Sequence, residues 1–307
     1  MSVSLRVSVT DRCSARCLYC MPEAGAPHGE ALPSDEIVRF VALLQARYGL
    51  THVRLTGGEP LLRPRIEELV AMLAAAGVAD LALTTNGQRL AAMARTLRQA
   101  GLDRINISLD SLDPATFAAI TRGGRLERTL DGIDAARHAG LNPVKLNTVV
   151  LRGQNDHEAA ALVRFAIEHG CQVRFLELMP IGVAAAGFVE RFVPSAEVRE
   201  RLSREFTLEP LPVDPHATSR NFVAGDGRGG HAIVGFISPS SEPFCADCRR
   251  LRLTAAGLLI GCLARPGGIP IVDLSDEALP AAVEQALGMK RRDATFLQPS
   301  AMVGIGG

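Results

Sequence analysis

The stretch Cys13-Ser14-Ala15-Arg16-Cys17-Leu18-Tyr19-Cys20 places three cysteines in the spacing C-x3-C-x2-C, with an aromatic residue just before the last one. Thiols this close together converge on one centre as metal ligands or as disulfide halves. An odd number does not suit disulfides, and we expect no secretory signal ahead of Cys13. Structural zinc sites usually close with four ligands, whereas three thiolates suit an iron–sulfur cluster with one open iron. The spacing therefore predicts a three-thiolate metal site, and scattered structural cysteines are the simpler alternative.

The residues around these thiols resemble the cluster loop of the radical S-adenosylmethionine (SAM) superfamily. The run Leu5-Arg6-Val7-Ser8-Val9-Thr10-Asp11-Arg12-Cys13, followed by Tyr19-Cys20-Met21-Pro22, resembles more narrowly the GTP 3′,8-cyclase family of molybdenum cofactor biosynthesis. The resemblance implies a [4Fe–4S] cluster on Cys13, Cys17 and Cys20. It also implies that the open iron binds the amino and carboxylate groups of SAM, and that one electron cleaves SAM to a 5′-deoxyadenosyl radical.

Six segments in the first part of the chain have the composition of β-strands and alternate with helical segments. They are Leu5 to Val9, His52 to Thr56, Leu81 to Thr85, Arg104 to Leu109, Lys145 to Val150 and Gln172 to Leu178. Strands that alternate with helices predict a parallel sheet with right-handed crossovers. Six units do not complete an eightfold barrel, so we predict an α/β fold, an incomplete (βα)6 barrel of the TIM type. Functional residues in such folds lie at the carboxyl ends of the strands.

The pattern changes after about Pro180. Short β segments without intervening helices follow from Asn221, at Phe222 to Ala224 and Ala232 to Ile237. The sequence therefore predicts two domains, a partial barrel over residues 1–209 and a smaller, mostly β domain over residues 210–307. The family resemblance implies that the second domain carries an auxiliary cluster and part of a GTP site.

Composition limits the function further. Apolar residues make up 47% of the 307 residues, and Lys+Arg and Asp+Glu number 33 each, so the formal net charge is zero. This balance argues against a general nucleic-acid or membrane surface, although a local basic pocket remains open. The seven cysteines point to a reducing compartment, and we expect a cytoplasmic protein.

A second thiol set, Cys245, Cys248 and Cys262, has the spacing C-x2-C-x13-C. Considered alone, this spacing is typical of a zinc site, and His231 is a candidate fourth ligand. The segment Phe244 to Thr254 resembles the C-terminal cluster signature of the cyclase family instead, which implies a second [4Fe–4S] cluster whose free iron binds guanine. Cys171 lies in an apolar strand context, and we interpret it as a core residue.

The same resemblance nominates ligand-binding residues. For GTP they are Arg6, Arg54, Thr85, Lys145, Arg250, Leu251 and Arg252, and for SAM they are Tyr19, Gly58, Ser108 and Met179. The catalytic candidates are the first three cysteines with Arg250, Arg252 and the terminal Gly306 and Gly307, since the family's tail enters the active site. Alternatives stay open: a buried ion pair for Arg6 and Arg54, a solvated strand face for Arg250 and Arg252, and core packing for Met179.

The resemblance implies that the adenosyl radical takes hydrogen from ribose C3′ of GTP and that the carbon radical attacks guanine C8. Its implied partners are GTP, an electron donor, the downstream cyclic pyranopterin monophosphate synthase and a second copy of the chain. One departure is notable, because Arg249 stands where the family usually has asparagine. The alternatives are a radical SAM enzyme that modifies peptides and a non-catalytic iron–sulfur module for electron transfer or regulation.

Overall fold

The computed structural model describes residues 3–25, 29–50, 52–213, 217–290 and 296–305. Its first six strands alternate with helices. The strands are β1 (Ser4–Ser8), β2 (His52–Thr56), β3 (Leu81–Thr85), β4 (Arg104–Ser108), β5 (Val144–Val150) and β6 (Gln172–Glu177). The helices are α1 (Ser34–Tyr48), α2 (Ile66–Ala75), α3 (Leu90–Gln99), α4 (Pro114–Thr121), α5 (Leu126–His138) and α6 (Ala159–Glu168). The six predicted strands are confirmed, with ends that differ from the prediction by at most one residue.

The remaining elements extend the same sheet at both edges. They are α7 (Phe188–Arg191), α8 (Ser195–Leu202), β7 (Thr207–Pro210), β8 (Arg220–Gly225), β9 (His231–Ile237), β10 (Arg250–Leu253), β11 (Leu258–Ile260), β12 (Ile269–Pro270) and α9 (Leu279–Gly288). The strand order is β12-β11-β10-β1-β2-β3-β4-β5-β6-β9-β8-β7. Because β10 pairs parallel to β1 and β9 parallel to β6, the run from β10 to β9 is parallel throughout. In the described residues the two ends of this order do not pair, so the barrel is open, as predicted.

The C-terminal part differs from the prediction in one element. Helix α9 interrupts the expected series of short strands, and its apolar residues Leu279, Ala282, Val283 and Ala286 are buried. Their spacing is that of one helical face, which the sequence analysis did not recognise. The domain boundary between residues 209 and 210 stays a prediction, and β7 (Thr207–Pro210) spans it.

Alternation along the strands separates an apolar face from a polar one. Leu5, Val53 and Leu83 are fully buried in one apolar cluster that also contains Phe40 of α1. Successive strand residues point to opposite faces, so Arg6 lies on the face opposite Leu5. The helices therefore cover an apolar outer surface, and the charged residues line the inside of the open barrel. None of the described helices is long and apolar enough to cross a bilayer.

The loops after β1 and β2 pack backbone against backbone. Gly58 N donates to Thr10 O at 2.7 Å, and Glu59 N donates to Arg12 O at 2.7 Å. A Cβ on Gly58 would lie 2.3 Å from Arg12 O, and one on Gly57 would lie 2.3 Å from Thr10 O. Only glycine permits this approach, which fixes the start of the cysteine loop against the end of β2.

We expect Gly58→Ala to destabilise the protein by about 1–3 kcal/mol, because the added methyl group meets backbone that is already hydrogen-bonded. Gly288→Ala is the matched control, since a Cβ there meets nothing within 4 Å. Urea unfolding of the two variants measures the difference. Equal free energies of unfolding for Gly58→Ala and the wild type would contradict this account of the loop contact.

Candidate active site

The first thiol set lies in the loop that leaves the carboxyl end of β1. Backbone hydrogen bonds attach this loop to the end of α4, from Arg16 N to Thr121 O at 2.8 Å and from Leu18 N to Ile120 O at 3.1 Å. Cys13, Cys17 and Cys20 are unpaired, partly exposed thiols. The loop therefore holds three free sulfur ligands at the edge of the sheet where the sequence analysis expected them.

A buried carboxylate anchors the aromatic residue of this loop. Tyr19 Oη donates to Asp110 Oδ2 at 2.7 Å, and Val149 N donates to Asp110 Oδ1 at 2.9 Å. Asn155 Nδ2 donates to the Asp110 carbonyl at 2.7 Å. Burial raises the Asp110 pKa to about 6. The cysteine loop is thus connected to the ends of β4 and β5 through one carboxylate.

A second buried carboxylate joins the loops after β2 and β3. Glu59 is 1% exposed and accepts from Thr85 Oγ1 and from Asn86 N, both at 2.7 Å. Asn86 Nδ2 in turn donates to Ser14 Oγ at 3.1 Å, within the cysteine loop. Burial raises the Glu59 pKa, and these donors oppose the shift. Three strand-end loops consequently meet at the first thiol set.

The electrostatics of the first set favour a cationic occupant. Burial raises the pKa of Cys13, of Cys17 and, to about 12, of Cys20. Mutual repulsion among the thiolates raises the Cys17 and Cys20 values further, and the Asp110 carboxylate adds to it. Iron bound to the sulfurs would remove this penalty, so the residues fit a cluster. No three described His, Cys, Asp or Glu side chains converge on a single metal ion, whereas cluster ligands bind separate irons.

Two of the four predicted SAM residues lie in this loop or directly against it. Tyr19 belongs to it, Gly58 packs against it, and Ser108 ends β4 half-buried. The tight contact of Gly58 is with Arg12 backbone, which supplies the physical reason for glycine there. Met179 packs with Ile181, Ile260 and Ile305.

The chain's C-terminal segment crosses the site. The 3-10 turn Met302–Ile305 places Ile305 in the apolar group with Met179, Ile181 and Ile260. The Val303 backbone hydrogen-bonds the Cys20 thiol. Gly182 N donates to Gln298 O at 3.1 Å and fastens the segment to the loop beyond β6. Gly306 and Gly307, predicted as catalytic, lie outside the described residues.

The second thiol set lines a cavity of about 140 Å³. Cys245, Cys248 and Cys262 share its wall with Met179, Arg252 and Lys290. Burial would raise the Cys248 pKa, but the cations of Arg250 and Lys290 outweigh it and lower the pKa. The second set is therefore electropositive, whereas the first is electronegative.

Lys290 fastens the two segments that carry these cysteines, a role that the sequence analysis missed. Its Nζ donates to Gly261 O at 2.6 Å and to Arg250 O, and lies 3.8 Å from Cys248 Sγ. The suggested zinc ligand His231 starts β9, six residues before Ile237, which lines the thiol cavity. At about 3.3 Å per residue the two ends are roughly 20 Å apart, so the geometry removes His231 as a ligand.

A larger cavity of about 470 Å³ lies on the inner face of the strands, and we call it the basic cavity. Its basic lining residues are Arg6, His52, Arg54, Arg104, Lys145, Arg174, Arg249 and Arg250. Register brings them together, since Arg6 pairs with Arg54, Ala82 with Arg104, Asn106 with Lys145 and Asn147 with Arg174. Arg6, Thr218 and Arg250 also line the thiol cavity, so the two cavities adjoin.

Positive charge in the basic cavity is largely uncompensated. Burial lowers the pKa of Arg6 strongly, of Arg54 to about 9, of Arg174 to about 10 and of Lys145 to about 7, and repulsion from neighbouring arginines adds to each shift. The buried Nε of Arg54 has no hydrogen-bond partner. Neither Arg6 nor Arg54 pairs with a described carboxylate, which disfavours the buried ion-pair alternative. The cavity is therefore prepared for an anion.

The predicted GTP residues separate into two groups. Arg6, Arg54, Lys145 and Arg250 line the basic cavity, and Arg252 lines the thiol cavity. Arg250 also lies over the Phe244 ring, with its guanidinium carbon 5.0 Å from the centroid. Arg252 is buried and Arg250 is half-buried, which disfavours the alternative that both lie on a solvated strand face.

Two nominated residues do not present side chains to either cavity. Thr85 is 2% exposed, and its hydroxyl donates to Glu59 and accepts from Gly87 N at 3.0 Å. Leu251 is fully buried in the core. His52, Arg104 and Arg174 also line the basic cavity, although they were not predicted as site residues. Their alternation with apolar neighbours on the predicted strands was the available signal.

Comparisons with known proteins agree with this arrangement. Residues 7–166 match the family described as the Radical SAM superfamily, and residues 171–296 match Molybdenum Cofactor Synthesis C. A GTP 3′,8-cyclase of Moorella thermoacetica is 44% identical over 317 aligned positions, covering 99% of this chain and 97% of that protein. A GTP 3′,8-cyclase of Listeria monocytogenes is 46% identical over 266 positions, covering 84% of this chain and 78% of that protein.

Solved structures show the same fold at low sequence identity. Streptococcus suis SuiB bound to the precursor peptide SuiA gives a TM-score of 0.72 at 16% identity, covering 94% of this chain and 66% of that one. SuiB bound to S-adenosylmethionine gives 0.64 at 15% identity, covering 90% and 62%. The chain spans about two thirds of SuiB or less, and this likeness concerns the fold alone. From the family matches and the cyclase relatives, the chain belongs to the radical SAM superfamily and, within it, to the GTP 3′,8-cyclase family.

Proposed function

We propose that this chain is a GTP 3′,8-cyclase that converts GTP to (8S)-3′,8-cyclo-7,8-dihydroguanosine 5′-triphosphate in molybdenum cofactor biosynthesis. The observation that carries the proposal is the basic cavity, which adjoins the second thiol set inside a radical SAM barrel. A triphosphate would satisfy its cations while the attached base extends toward the thiol cavity. A peptide or a bare electron carrier does not require such a concentration of half-buried arginines.

Membership in the superfamily gives the enzyme a [4Fe–4S] cluster and SAM. When bound, they supply the radical that starts the reaction. The residues that would hold them are Cys13, Cys17 and Cys20 for the cluster, with Tyr19, Gly58, Ser108 and Met179 for SAM. The closely packed strand-end loops and the Met302–Ile305 turn would position SAM and exclude water from the reacting groups.

We propose a second [4Fe–4S] cluster on Cys245, Cys248 and Cys262, with guanine as its ligand. The lowered Cys248 pKa supports this assignment, because metal ligation requires thiolates. Arg6, Arg54, Lys145, Arg174, Arg249 and Arg250 would bind the phosphates, and Arg252 would lie nearer the base. Arginine forks suit phosphate oxygens, and charge-assisted hydrogen bonds contribute about 1.5–3 kcal/mol each.

Further proposals rest on the family resemblance. They are a cytoplasmic homodimer, an external electron donor, and cyclic pyranopterin monophosphate synthase as the enzyme that takes the product. The zero net charge supports the expectation that the chain binds neither nucleic acid nor membrane.

The deciding experiment measures 5′-deoxyadenosine release by anaerobically reconstituted protein with dithionite and SAM. We expect release to rise with GTP, together with a new nucleotide product, and not to rise with ATP. If 5′-deoxyadenosine release were the same with and without GTP, the result would support radical SAM chemistry but contradict GTP as the substrate. No release from protein with a full iron load would favour the non-catalytic alternative.

Lys145 gives GTP binding a predicted pH dependence. Its pKa of about 7 in the empty cavity lies below the ordinary value, and a bound triphosphate would raise it. Binding above pH 7 therefore takes up a proton, and the affinity should fall between pH 7 and 8.5 by up to about tenfold per unit. Equilibrium dialysis measures this slope. Lys145→Arg keeps its charge in this range and should flatten the slope, whereas an equal slope in both proteins would assign the dependence to another group.

Lys290→Met should weaken the second cluster. The change leaves Gly261 O and Arg250 O without their donor, and each unpaired buried acceptor costs about 1–3 kcal/mol. We expect anaerobic reconstitution to give about half of the wild-type iron content, because one of two clusters is lost. Cys248→Ser should match this loss, and Cys171→Ala, outside both sets, should retain full iron. Full iron content in Lys290→Met would remove the role given to Lys290.

A further inference from the structure

The basic cavity carries seven arginine or lysine side chains and one histidine on its wall. No carboxylate lines it in the part of the chain that the structure describes. This composition is unusual for a nucleoside triphosphate site, where Mg²⁺ is commonly held by one or two carboxylates and the substrate phosphates. Within the described parts of the chain, the cavity offers the phosphates many cations and offers a metal ion no carboxylate.

Asp80 is the carboxylate whose charge reaches this cavity most clearly, since it acts on His52, Arg54 and Lys145. Both of its oxygens are already engaged by the Arg104 fork: Nε donates to Oδ1 at 2.6 Å and Nη2 donates to Oδ2. A bidentate guanidinium–carboxylate pair leaves Asp80 poorly available to a metal ion. Among the described residues, a divalent cation in the cavity would therefore meet like charge without a carboxylate ligand.

We propose that the basic cavity binds the nucleoside triphosphate in its metal-free form and excludes the Mg²⁺ complex. The inference rests on the proposed function, because it specifies the form of the substrate at that site. Half-buried arginines take the place of the metal, since Arg6, Arg54 and Arg174 line one cavity on the inner face of the sheet. A free triphosphate brings roughly four negative charges, whereas Mg²⁺ cancels about two of them and weakens its attraction to the cavity.

The unpartnered Nε of Arg54 supports this assignment independently of net charge. A buried donor without an acceptor is costly, and a phosphate oxygen would satisfy it directly. Mg²⁺ occupies phosphate oxygens with its own inner shell and its waters. The metal complex therefore offers fewer free oxygens to the guanidinium forks than the free nucleotide does.

Equilibrium dialysis of radiolabelled GTP against the anaerobic, cluster-loaded protein without SAM tests the proposal, since no turnover occurs. Ionic strength is held constant with potassium chloride while Mg²⁺ replaces EDTA. We expect the apparent Kd, calculated on total GTP, to rise in inverse proportion to the fraction of GTP that is free of Mg²⁺. The rise should be about tenfold when Mg²⁺ complexes nine tenths of the GTP. An exchange-inert Cr(III)–GTP complex should not displace bound GTP.

The outcomes separate the two proposals. Binding that is unchanged or tighter with Mg²⁺, or displacement by Cr(III)–GTP, overturns the metal-free form and leaves GTP as the substrate. An absence of binding both in EDTA and in Mg²⁺ overturns the proposed function, and this inference with it.

Two variants test the role of the Arg104–Asp80 pair. Arg104→Met releases the Asp80 carboxylate and removes one cation, so the loss of affinity caused by Mg²⁺ should shrink from about tenfold toward twofold. Arg128→Met, on the exposed surface of α5, should retain the wild-type dependence. If Mg²⁺ lowered the GTP affinity of Arg104→Met as much as it lowers that of the wild type, the account of how Mg²⁺ is excluded would be overturned.

Discussion

The interior of the open barrel encloses a group of half-buried like charges, and much of the structure depends on how their free-energy cost is offset. Arg6, Arg54 and Arg174 lie on the inner face of a sheet whose opposite face is largely apolar. Desolvation and mutual repulsion make their charged forms costly, as their lowered pKa values show. The apolar contacts between the outer face and the helices must offset this cost in the empty protein. A bound polyanion would make the electrostatic contribution of these arginines favourable, so the same residues that destabilise the empty barrel would stabilise the complex.

The two thiol sets differ in electrostatic surroundings. The first lies near Asp110 and has raised pKa values, whereas in the second Cys248 lies beside Arg250 and Lys290 and has a lowered one. A cluster in the first set would sit among negative groups, and one in the second would sit among positive groups. Negative surroundings disfavour addition of an electron, and positive surroundings favour it. The chain thus gives two similar ligand sets different environments, which matches the different tasks proposed for them.

Rigidity at the carboxyl edge comes from a few buried polar links. Asp110 joins the cysteine loop to β4 and β5, and Glu59 joins the loops after β2 and β3. The glycines after β2 allow backbone contact with the start of the cysteine loop. The C-terminal segment then closes over this platform through Val303 and Ile305. These contacts fix where a cofactor can lie before any ligand is bound.

The sequence by itself determined the six strand–helix units, the two thiol sets and most cations of the basic cavity. Those features are local: spacing, alternation and residue type specify them, and the resemblance to a known family names them. It did not reveal α9, the parallel pairing of β10 with β1 and of β9 with β6, or the Lys290 contacts. Arg104 and Arg174 were not predicted because their position inside the barrel depends on register with neighbouring strands. The same register places the Thr85 side chain outside the cavity. Tertiary structure decided these points, since only the assembled sheet fixes which face of each strand is enclosed and which distant groups become neighbours there.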